Sequence, residues 1–318
     1  MSTTPAVRLL RHGEPLALEE IELPAPGEGE VLLEVAYCGV NPIDRYVALG
    51  LVAPDGPLPR TLGGEASGLV GGRPVVVTGH GLGATRDGLW AGRAVVPAEA
   101  LVDVPTGVDL QRAAAIGIAG RTAWRTAVDV GALDAADRVL VLGASGGVGS
   151  MVVSLCRHRG ATVAGQTADP SKSAWLRERG ADEVVVAADG ASLAADADLR
   201  RLAPTLVLDC LGGTFTAAAI ELLAPGGRIV LFGTSAGAHG EVPLQMLYRK
   251  GLRMLGYGGL VETPESVRRG IAEALGAVAS GDLEVVVDSV LPLGAADEAF
   301  TRLVERRVLG KLLLDASA

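Results

Sequence analysis

Aromatic residues, cysteines and basic side chains are all scarce in this chain of 318 residues. Aromatic residues make up 3% of it, and its three scattered cysteines, an odd number, imply no disulfide framework. The formal net charge of −9 argues against nucleic acid or an anionic membrane as a partner, because phosphate contacts need a basic patch. The chain also lacks a run of about 18 apolar residues and an N-terminal targeting pattern. We therefore expect a cytoplasmic protein that does not act in a membrane.

Small and apolar residues dominate instead, with 44 glycines and 49% hydrophobic residues. A chain of this length is expected to hold two domains, since single cores rarely grow beyond about 250–300 residues. The first third has a β-rich pattern, with strands predicted at 6–10, 17–23, 30–37 and 73–78, and a helix near 42–49. From about residue 120 strands alternate with helices, which is typical of a parallel sheet covered on both faces.

The strands predicted in this second region are 139–142, 162–167, 183–186, 206–209, 228–232 and 252–256. Helices are predicted between them, near 147–159, 171–179, 191–202 and 214–223. Thr263 and Pro264 then have the residue types of a helix start, and that helix runs to about Ser280. A last segment adds a strand near 291, a helix at 295–305 and a strand at 311–314. We expect this tail to complete the first domain.

The sequence RVLVLGASGGVG at 138–149 is the strongest functional signal. An apolar strand leads directly into Ala144, Gly146 and Gly149, which have the spacing of a dinucleotide fingerprint. Small residues are needed there because the backbone turns tightly and a pyrophosphate must approach the start of the following helix. The residues expected to contact the cofactor in this turn are Ser145, Gly146, Gly147 and Val148.

Several further segments, in the same order as in one known family, cover nearly the whole chain. They are CGVNPIDRYVALG (38–50), LGGEASG (62–68), AAAIGIAGRTAW (113–124), GASGGVGS (143–150), LDCLGG (208–213), LAPGGRIVLFG (223–233) and LGKLLL (309–314). The chain resembles the medium-chain dehydrogenase/reductase superfamily in its zinc-free quinone oxidoreductase branch. Residues 77–92 are also similar to acrylyl-CoA reductases.

That resemblance implies an α/β protein with a GroES-like β-rich catalytic domain and a Rossmann domain with a doubly wound parallel sheet. The catalytic domain would be discontinuous, comprising residues 1–122 and 259–318, and residues 123–258 would bind NADP(H). The active site would lie in a cleft between them. A homodimer is also expected, because the family often pairs Rossmann sheets through the sixth strand.

No metal is expected. Zinc-dependent relatives place a cysteine and a histidine at positions that correspond here to Asn41 and Gly64, and neither residue is a suitable zinc ligand. Without a Lewis acid, hydride addition to a conjugated acceptor is favoured over reduction of a plain ketone, because the charge spreads into an enolate.

The cofactor is predicted to be NADPH. Thr167 occupies the position where NAD enzymes carry an acid for the ribose 2′-hydroxyl, although Asp169 could serve instead. Ser171 and Lys172 follow where NADPH-dependent relatives hold the 2′-phosphate, unless Ser171 only caps a helix and Lys172 is a solvated surface charge.

The resemblance also implies the remaining site residues. Asn41 is expected to orient the nicotinamide or a substrate oxygen, Asp44 either to share this task or to brace its loop, and Tyr46 either to donate a proton or to pack on its helix. Thr122 is expected to reach the nicotinamide. Glu65 is expected to be buried beside Arg121 or Arg125. The other cofactor-binding residues expected are Cys210, Leu211, Phe232, Gly233, Thr234, Tyr257 and Lys311, the last of which the tail strand could instead leave in solvent.

The function predicted from these observations is an NADPH-dependent, zinc-independent reduction of a small-molecule quinone or enone. The alternatives are reduction of an enoyl thioester such as an acrylyl- or crotonyl-CoA, and a non-catalytic NADPH-binding module. The first alternative is weakened because the tyrosine of enoyl reductases corresponds to about Val52.

Overall fold

In the computed structural model, which describes residues 2–317, the chain divides into two units. Unit 1 takes the chain up to Arg121, together with Glu262–Ser280 and everything from Val285 onward, and unit 2 comprises Thr122–Val261 and Gly281–Glu284. The boundaries expected from the sequence were 122/123 and 258/259. Nothing in the sequence indicates that Gly281–Glu284 belongs to unit 2.

The strands in chain order are β1 (Thr3–Leu9), β2 (Ala17–Glu22), β3 (Glu30–Val40), β4 (Arg60–Thr61), β5 (Glu65–Val70), β6 (Arg73–Thr78), β7 (Arg93–Pro97), β8 (Leu101–Asp103), β9 (Arg138–Val141), β10 (Thr162–Thr167), β11 (Glu183–Val186), β12 (Leu206–Asp209), β13 (Arg228–Leu231), β14 (Arg253–Gly256), β15 (Val287–Pro292) and β16 (Lys311–Asp315).

The α-helices are α1 (Pro42–Ala48), α2 (Leu110–Ala113), α3 (Arg121–Trp124), α4 (Gly147–His158), α5 (Ser173–Glu178), α6 (Gly190–Ala195), α7 (Ala197–Leu202), α8 (Gly213–Leu222), α9 (Leu244–Arg249), α10 (Pro264–Ser280) and α11 (Ala296–Val304). Two wider π-helical turns, Ile116–Gly120 and Arg125–Val130, precede and follow α3. Among residues 2–317, no helix is both long and apolar enough to cross a bilayer.

Unit 1 is built on two β-sheets. The smaller has the order β2-β1-β4, and the larger has the order β15-β16-β3-β5-β6-β8, with β7 also paired to β3. Their inward side chains share one apolar core, in which Leu9, Leu33, Leu62 and Trp90 are fully buried. The tail strand β16 runs antiparallel to β3, with Leu312 opposite Val40, so the C-terminal segment completes the central sheet.

Unit 2 is a six-stranded parallel sheet in the order β11-β10-β9-β12-β13-β14. This is the doubly wound order of dinucleotide-binding domains, in which the strand order reverses beside the first strand and ligands bind at the carboxyl edge. The strands are almost wholly apolar because helices cover both faces of such a sheet.

Most elements of unit 2 match the sequence prediction to within one or two residues. The predicted helix 191–202 is the main exception, because it is interrupted at Asp196. The side chain of Asp196 accepts a hydrogen bond from the backbone N–H of Leu199 and so starts α7 as a new helix. The sequence analysis did not predict several short elements, which are β4, β5, β7, β8, α2, α3, α9 and the two π-helical turns.

Candidate active site

A buried polar cluster lies within unit 1, formed by Asn41, Asp44, Glu65 and Lys311, which we call the Glu65 cluster. Asn41 joins β3 to α1, Asp44 is in the first turn of α1, Glu65 begins β5 and Lys311 begins β16. The pairing of β16 with β3 brings Lys311 beside Asn41. All four residues are less than 5% exposed, so their polar atoms must be satisfied by one another and by backbone groups.

Glu65 is fully buried and is the acceptor at the centre of the cluster. Its Oε1 accepts hydrogen bonds from Asn41 Nδ2 and from Lys311 Nζ, each at 2.7 Å. Its Oε2 accepts from the backbone N–H of Ile118 at 2.5 Å, inside the π-helical turn Ile116–Gly120. Such turns are common at functional sites because they present backbone groups that a regular helix would use internally.

The cation beside Glu65 is therefore Lys311, and the expectation of Arg121 or Arg125 is wrong. Arg121 forms an ion pair with Glu262, and Arg125 pairs with Asp129. The correct partner depends on the pairing of two strands at opposite ends of the chain, which local sequence does not reveal.

The side chain of Lys311 is 3% exposed, and its ammonium makes three hydrogen bonds within unit 1. It donates to Glu65 Oε1, to Asn41 Oδ1 at 2.8 Å and to the carbonyl oxygen of Val40 at 3.2 Å. An ammonium has three protons, so all its donors are engaged. The alternative of a solvated Lys311 does not hold, and a direct contact of Lys311 with the cofactor remains a prediction.

Asp44 makes the bracing contacts that were one of its two expected roles. Its carboxylate accepts from the backbone N–H of Asn41 at 2.8 Å and from that of Gly64 at 3.0 Å, which ties the start of α1 to the segment before β5. Burial, with a smaller contribution from the nearby charge of Glu65, raises the pKa of Asp44 to about 7, although these hydrogen bonds and the charge of Lys311 oppose the rise. A catalytic role for Asp44 remains a prediction.

The raised pKa of Asp44 predicts a pH-dependent contribution to stability. Between about pH 4 and pH 7 the folded chain holds a proton on Asp44 that the unfolded chain releases. The free energy of unfolding contributed by this residue should then fall, by at most about 1.4 kcal/mol per pH unit, and level off above pH 7. Chemical denaturation of the wild type and of Asp44→Asn at several pH values isolates this contribution. A difference between the two proteins that does not change with pH would contradict it.

The donor set in this region does not suit zinc. Asn41 offers an amide, Gly64 has no side chain, and both oxygens of Glu65 already accept strong hydrogen bonds. Zinc sites are built from thiolate, imidazole and carboxylate ligands in a tetrahedral arrangement. In the described part of the chain, no three His, Cys, Asp or Glu residues are grouped to share an ion.

The glycine-rich turn of unit 2 has the geometry that a dinucleotide requires. It connects β9 to α4, and no side chain caps the N-terminus of α4 at Gly146. A β-carbon on Gly149 would lie 2.3 Å from the carbonyl oxygen of Gly143, so only glycine fits at that position. The N–H groups of the first turn of α4, which no side chain caps, and the positive end of the helix dipole suit a pyrophosphate, so this turn fits a dinucleotide cofactor.

Two buried side chains that the sequence analysis missed hold this edge of the sheet in shape. Gln166 accepts from the backbone N–H of Gly143 at 2.9 Å and donates to the carbonyl oxygen of Ala187 at 2.6 Å. Asp209 accepts from the backbone N–H groups of Leu211 and Gly212 and from the hydroxyl of Thr216. The available signal was a polar residue next to the apolar core of each strand, Gln166 near the end of β10 and Asp209 at the end of β12.

Many of the predicted cofactor residues meet at this carboxyl edge of the sheet. The segment after β13 folds back onto the segment after β12, with the N–H of Ser235 bonded to the carbonyl oxygen of Cys210 and that of Ala236 to Leu211. The N–H of Tyr257 is bonded to the carbonyl oxygen of Leu231. The edge thus gathers the predicted residues Ser145, Gly146, Gly147, Val148, Thr167, Cys210, Leu211, Phe232, Gly233, Thr234 and Tyr257.

Strand β10 ends at Thr167, and a short 3₁₀ turn, Pro170–Lys172, follows it with Asp169 at its N-cap. Asp169 accepts from the backbone N–H of Ser171 at 2.9 Å and from its hydroxyl at 2.7 Å. These bonds lower the pKa of Asp169, and the charge of Lys172 lowers it further. One oxygen of Asp169 is thus committed to holding the turn, while Lys172 is half-buried beside it.

Tyr46 and Thr122 are the two remaining residues for which the sequence predicted a catalytic role. Tyr46 is half-buried on α1, and the backbone carbonyl of Thr122 accepts a hydrogen bond from the Thr126 hydroxyl at 2.7 Å. Their catalytic roles remain predictions.

Comparison with known proteins identifies the family to which this chain belongs. The sequence profile described as zinc-binding dehydrogenase matches residues 147–276. The quinone oxidoreductase of Pseudomonas aeruginosa is 28% identical over 321 residues, covering 97% of this chain and 98% of that protein. This chain belongs to the medium-chain dehydrogenase/reductase superfamily, in the quinone oxidoreductase branch. Unit 1 is accordingly its GroES-like domain and unit 2 its Rossmann domain.

Two further relatives bear on function. The quinone oxidoreductase from Thermus thermophilus, whose structures include a complex with NADPH, is 29% identical with a TM-score of 0.84, covering 98% of this chain and 99% of that one. The polyketide synthase GfsB of Streptomyces halstedii is 32% identical over 291 residues, 90% of this chain. The chain corresponds to only 5% of the length of that synthase.

Proposed function

We propose that this oxidoreductase transfers hydride from NADPH to a quinone or another activated C=C bond without zinc. The observation that carries the proposal is the Glu65 cluster, in which the ammonium of Lys311 is hydrogen-bonded to Asn41 and Glu65. Asn41 and the neighbouring Gly64 occupy the positions that correspond to zinc ligands in zinc-dependent relatives. Hydride addition to a conjugated acceptor is feasible there, because the negative charge spreads into an enolate or phenolate that needs orientation and hydrogen bonds.

We assign separate roles in cofactor binding, hydrogen bonding and proton donation to the residues of this chain. The glycine-rich turn and the N-terminus of α4 hold the pyrophosphate, and the edge residues after β10, β12 and β13 hold the rest of the cofactor. The nicotinamide supplies the hydride when it is bound. Asn41 donates a hydrogen bond to an oxygen of the cofactor or acceptor, and the Tyr46 phenol or solvent supplies the proton.

The choice of NADPH rests on the turn after β10. Thr167 places no negative charge at the end of the strand, and Lys172 supplies a cation for the 2′-phosphate. Replacing Lys172 by alanine should weaken NADPH binding by about 1–3 kcal/mol, the range of a charge-assisted hydrogen bond, and leave NADH binding nearly unchanged. Titration of cofactor fluorescence measures both affinities.

Arg201→Ala is the matched control, because Arg201 is an exposed cation on α7 that pairs with Asp198 three residues away. It should change neither affinity. Equal weakening of NADPH and NADH by Lys172→Ala would remove Lys172 from the 2′-phosphate site.

The proposed reaction is tested by following absorbance at 340 nm with NADPH or NADH and a panel of acceptors. The panel contains 1,4-benzoquinone, 9,10-phenanthrenequinone, a simple enone and crotonyl-CoA. Rapid oxidation of NADPH with a quinone or the enone is the expected result. No oxidation with any acceptor, despite measurable NADPH binding, would favour a non-catalytic module.

Reduction of an enoyl thioester is the second candidate. Its support is the similarity of 90% of this chain to part of the polyketide synthase GfsB. Turnover with crotonyl-CoA alone would favour this candidate.

A homodimer is also proposed, through the free edge of β14. In the sheet order of unit 2, β14 is the terminal strand, and exposed apolar side chains flank it: Leu244, Tyr248, Met254, Leu260 and Val261. Exposed apolar surface beside an unpaired strand edge is typical of a covered interface.

Disruption of this edge should produce monomers. Leu260 and Val261 are 78% and 87% exposed, so replacing both with arginine should not disturb the fold but should repel a second copy. Sedimentation velocity reads out the oligomeric state. Leu51→Arg, at a residue of unit 1 that is 69% exposed, is the control and should leave it unchanged.

A further inference from the structure

The side-chain amide of Asn41 is part of a closed ring of hydrogen bonds. Asn41 Oδ1 accepts from Lys311 Nζ at 2.8 Å, Lys311 Nζ donates to Glu65 Oε1 at 2.7 Å, and the same Oε1 accepts from Asn41 Nδ2 at 2.7 Å. Because an ammonium only donates and a carboxylate only accepts, the ring admits a single orientation of the amide. The oxygen must face Lys311, and the nitrogen must face Glu65.

One hydrogen-bond donor of the Asn41 side chain, the second N–H of Nδ2, takes no part in this ring. An amide group closes such a ring with its oxygen and with the N–H on the same side as that oxygen. The second N–H of Nδ2 therefore points away from Lys311 and Glu65. If the amide were turned over, a carbonyl oxygen would replace this donor, and it would repel the negative charge that develops on an acceptor oxygen.

We propose that Lys311 is a positioning residue. Its ammonium fixes the amide of Asn41 so that the second N–H of Nδ2, which lies outside the ring, donates a hydrogen bond to an oxygen of the acceptor or cofactor during hydride transfer. This assignment rests on the proposed function, since it specifies how Asn41 acts in that reaction. It differs from the sequence expectation of a direct cofactor contact. The ammonium is buried with all three protons engaged, so it acts through Asn41.

A pair of variants separates positioning from structural support. Lys311→Met removes the ammonium but leaves Glu65 as a buried charge, which can prevent folding. The double variant Lys311→Met with Glu65→Gln removes both charges and leaves a neutral site. In this double variant, the side-chain oxygen introduced by Glu65→Gln remains the acceptor for the N–H of Ile118, so the new amide nitrogen faces Asn41. Because that nitrogen only donates, Asn41 must turn its side-chain oxygen toward position 65.

The expected result for the double variant is a melting temperature close to that of the wild type, a kcat lower by at least about tenfold and a KM for NADPH within about twofold. A wild-type kcat in the folded double variant would overturn the proposal, because Lys311 would then only balance charge. A raised KM for NADPH with an unchanged kcat would also overturn it, because Lys311 would then bind the cofactor directly.

A spectroscopic measurement tests the orientation without any turnover. Asn41 is the only asparagine of the chain, so protein labelled with ¹⁵N-asparagine gives one side-chain amide signal pair. In the wild type, the side-chain amide protons of Asn41 should exchange slowly with solvent. In both Lys311 variants the hydrogen-bonded ring is open, so these protons should exchange at least about tenfold faster or show changed chemical shifts. Unchanged signals would overturn the proposal even where kcat falls.

Lys250→Met is the matched control, since Lys250 also donates to backbone carbonyls, those of Glu221 and Leu223 in unit 2. It should leave the Asn41 signals and kcat unchanged. Wild-type protein that oxidises no cofactor with any acceptor would contradict the proposed function. The Asn41 signals would still report whether Lys311 sets the amide.

Discussion

Replacing Glu65 with leucine should lower the free energy of unfolding by about 3–5 kcal/mol, the range measured when one partner of a buried ion pair is removed. The carboxylate is fully buried, and its loss deprives the ammonium of Lys311, on a side chain that is 3% exposed, of the carboxylate to which it is hydrogen-bonded. Asn41 Nδ2 and the N–H of Ile118 lose their acceptor as well. Differential scanning calorimetry measures the change.

Two companion variants identify the cause. Glu14→Leu removes a carboxylate that pairs with Arg11 on the surface, so it should have little effect. Adding Lys311→Met to Glu65→Leu should recover part of the lost stability, because an apolar pair can replace a buried ion pair at little cost, whereas Asn41 Nδ2 and the N–H of Ile118 still lack the Glu65 acceptor. Failure of the second change to recover stability would show that the ion pair does not account for the loss.

Substitution of Gly149 should have the largest effect on cofactor binding. A β-carbon there would lie 2.3 Å from the Gly143 carbonyl oxygen and 2.8 Å from the Cα of Ala144, both backbone atoms of the same turn. Gly149→Ala must therefore distort the turn, and we expect affinity for NADPH to fall by at least about 100-fold, or 2.7 kcal/mol, with a lower melting temperature.

Gly146→Ala provides a contrast in the same turn. Its β-carbon would lie 3.4 Å from the Gly143 carbonyl oxygen, an ordinary contact, and Gly146 has a negative φ of −82°. This variant should keep the melting temperature and lose affinity only because the methyl group lies where a pyrophosphate approaches. Equal losses of stability in the two variants would contradict this account.

The Rossmann unit was the more predictable half of the fold because its signals are local. Strands β10, β11 and β12 match the prediction to the residue, since each is a short apolar run between turn residues. In the GroES-like unit, β5 contains Glu65 and three small residues, and β8 has only three residues, so neither has a clear apolar pattern. Those strands are defined by their partners in the sheet.

The candidate site likewise has parts that local sequence predicts and parts that depend on contacts between distant segments. The fingerprint turn and the set of sheet-edge residues follow from strand order and were predictable. The partner of Glu65 was not, since Lys311 comes 246 residues later and reaches it only through the pairing of β16 with β3. The orientation of the Asn41 amide depends on both of these residues and is likewise a property of the folded chain.

The separation between Glu65 and Lys311 also sets an order of events during synthesis. Asn41 and Glu65 leave the ribosome early, whereas the lysine that balances the carboxylate follows after 246 further residues. The Rossmann unit, nearly continuous from Thr122 to Val261, emerges in between and can fold first. Because an unpaired charge is costly to bury, we expect Glu65 to stay hydrated until Lys311 has been synthesised, and the GroES-like unit to complete its fold last.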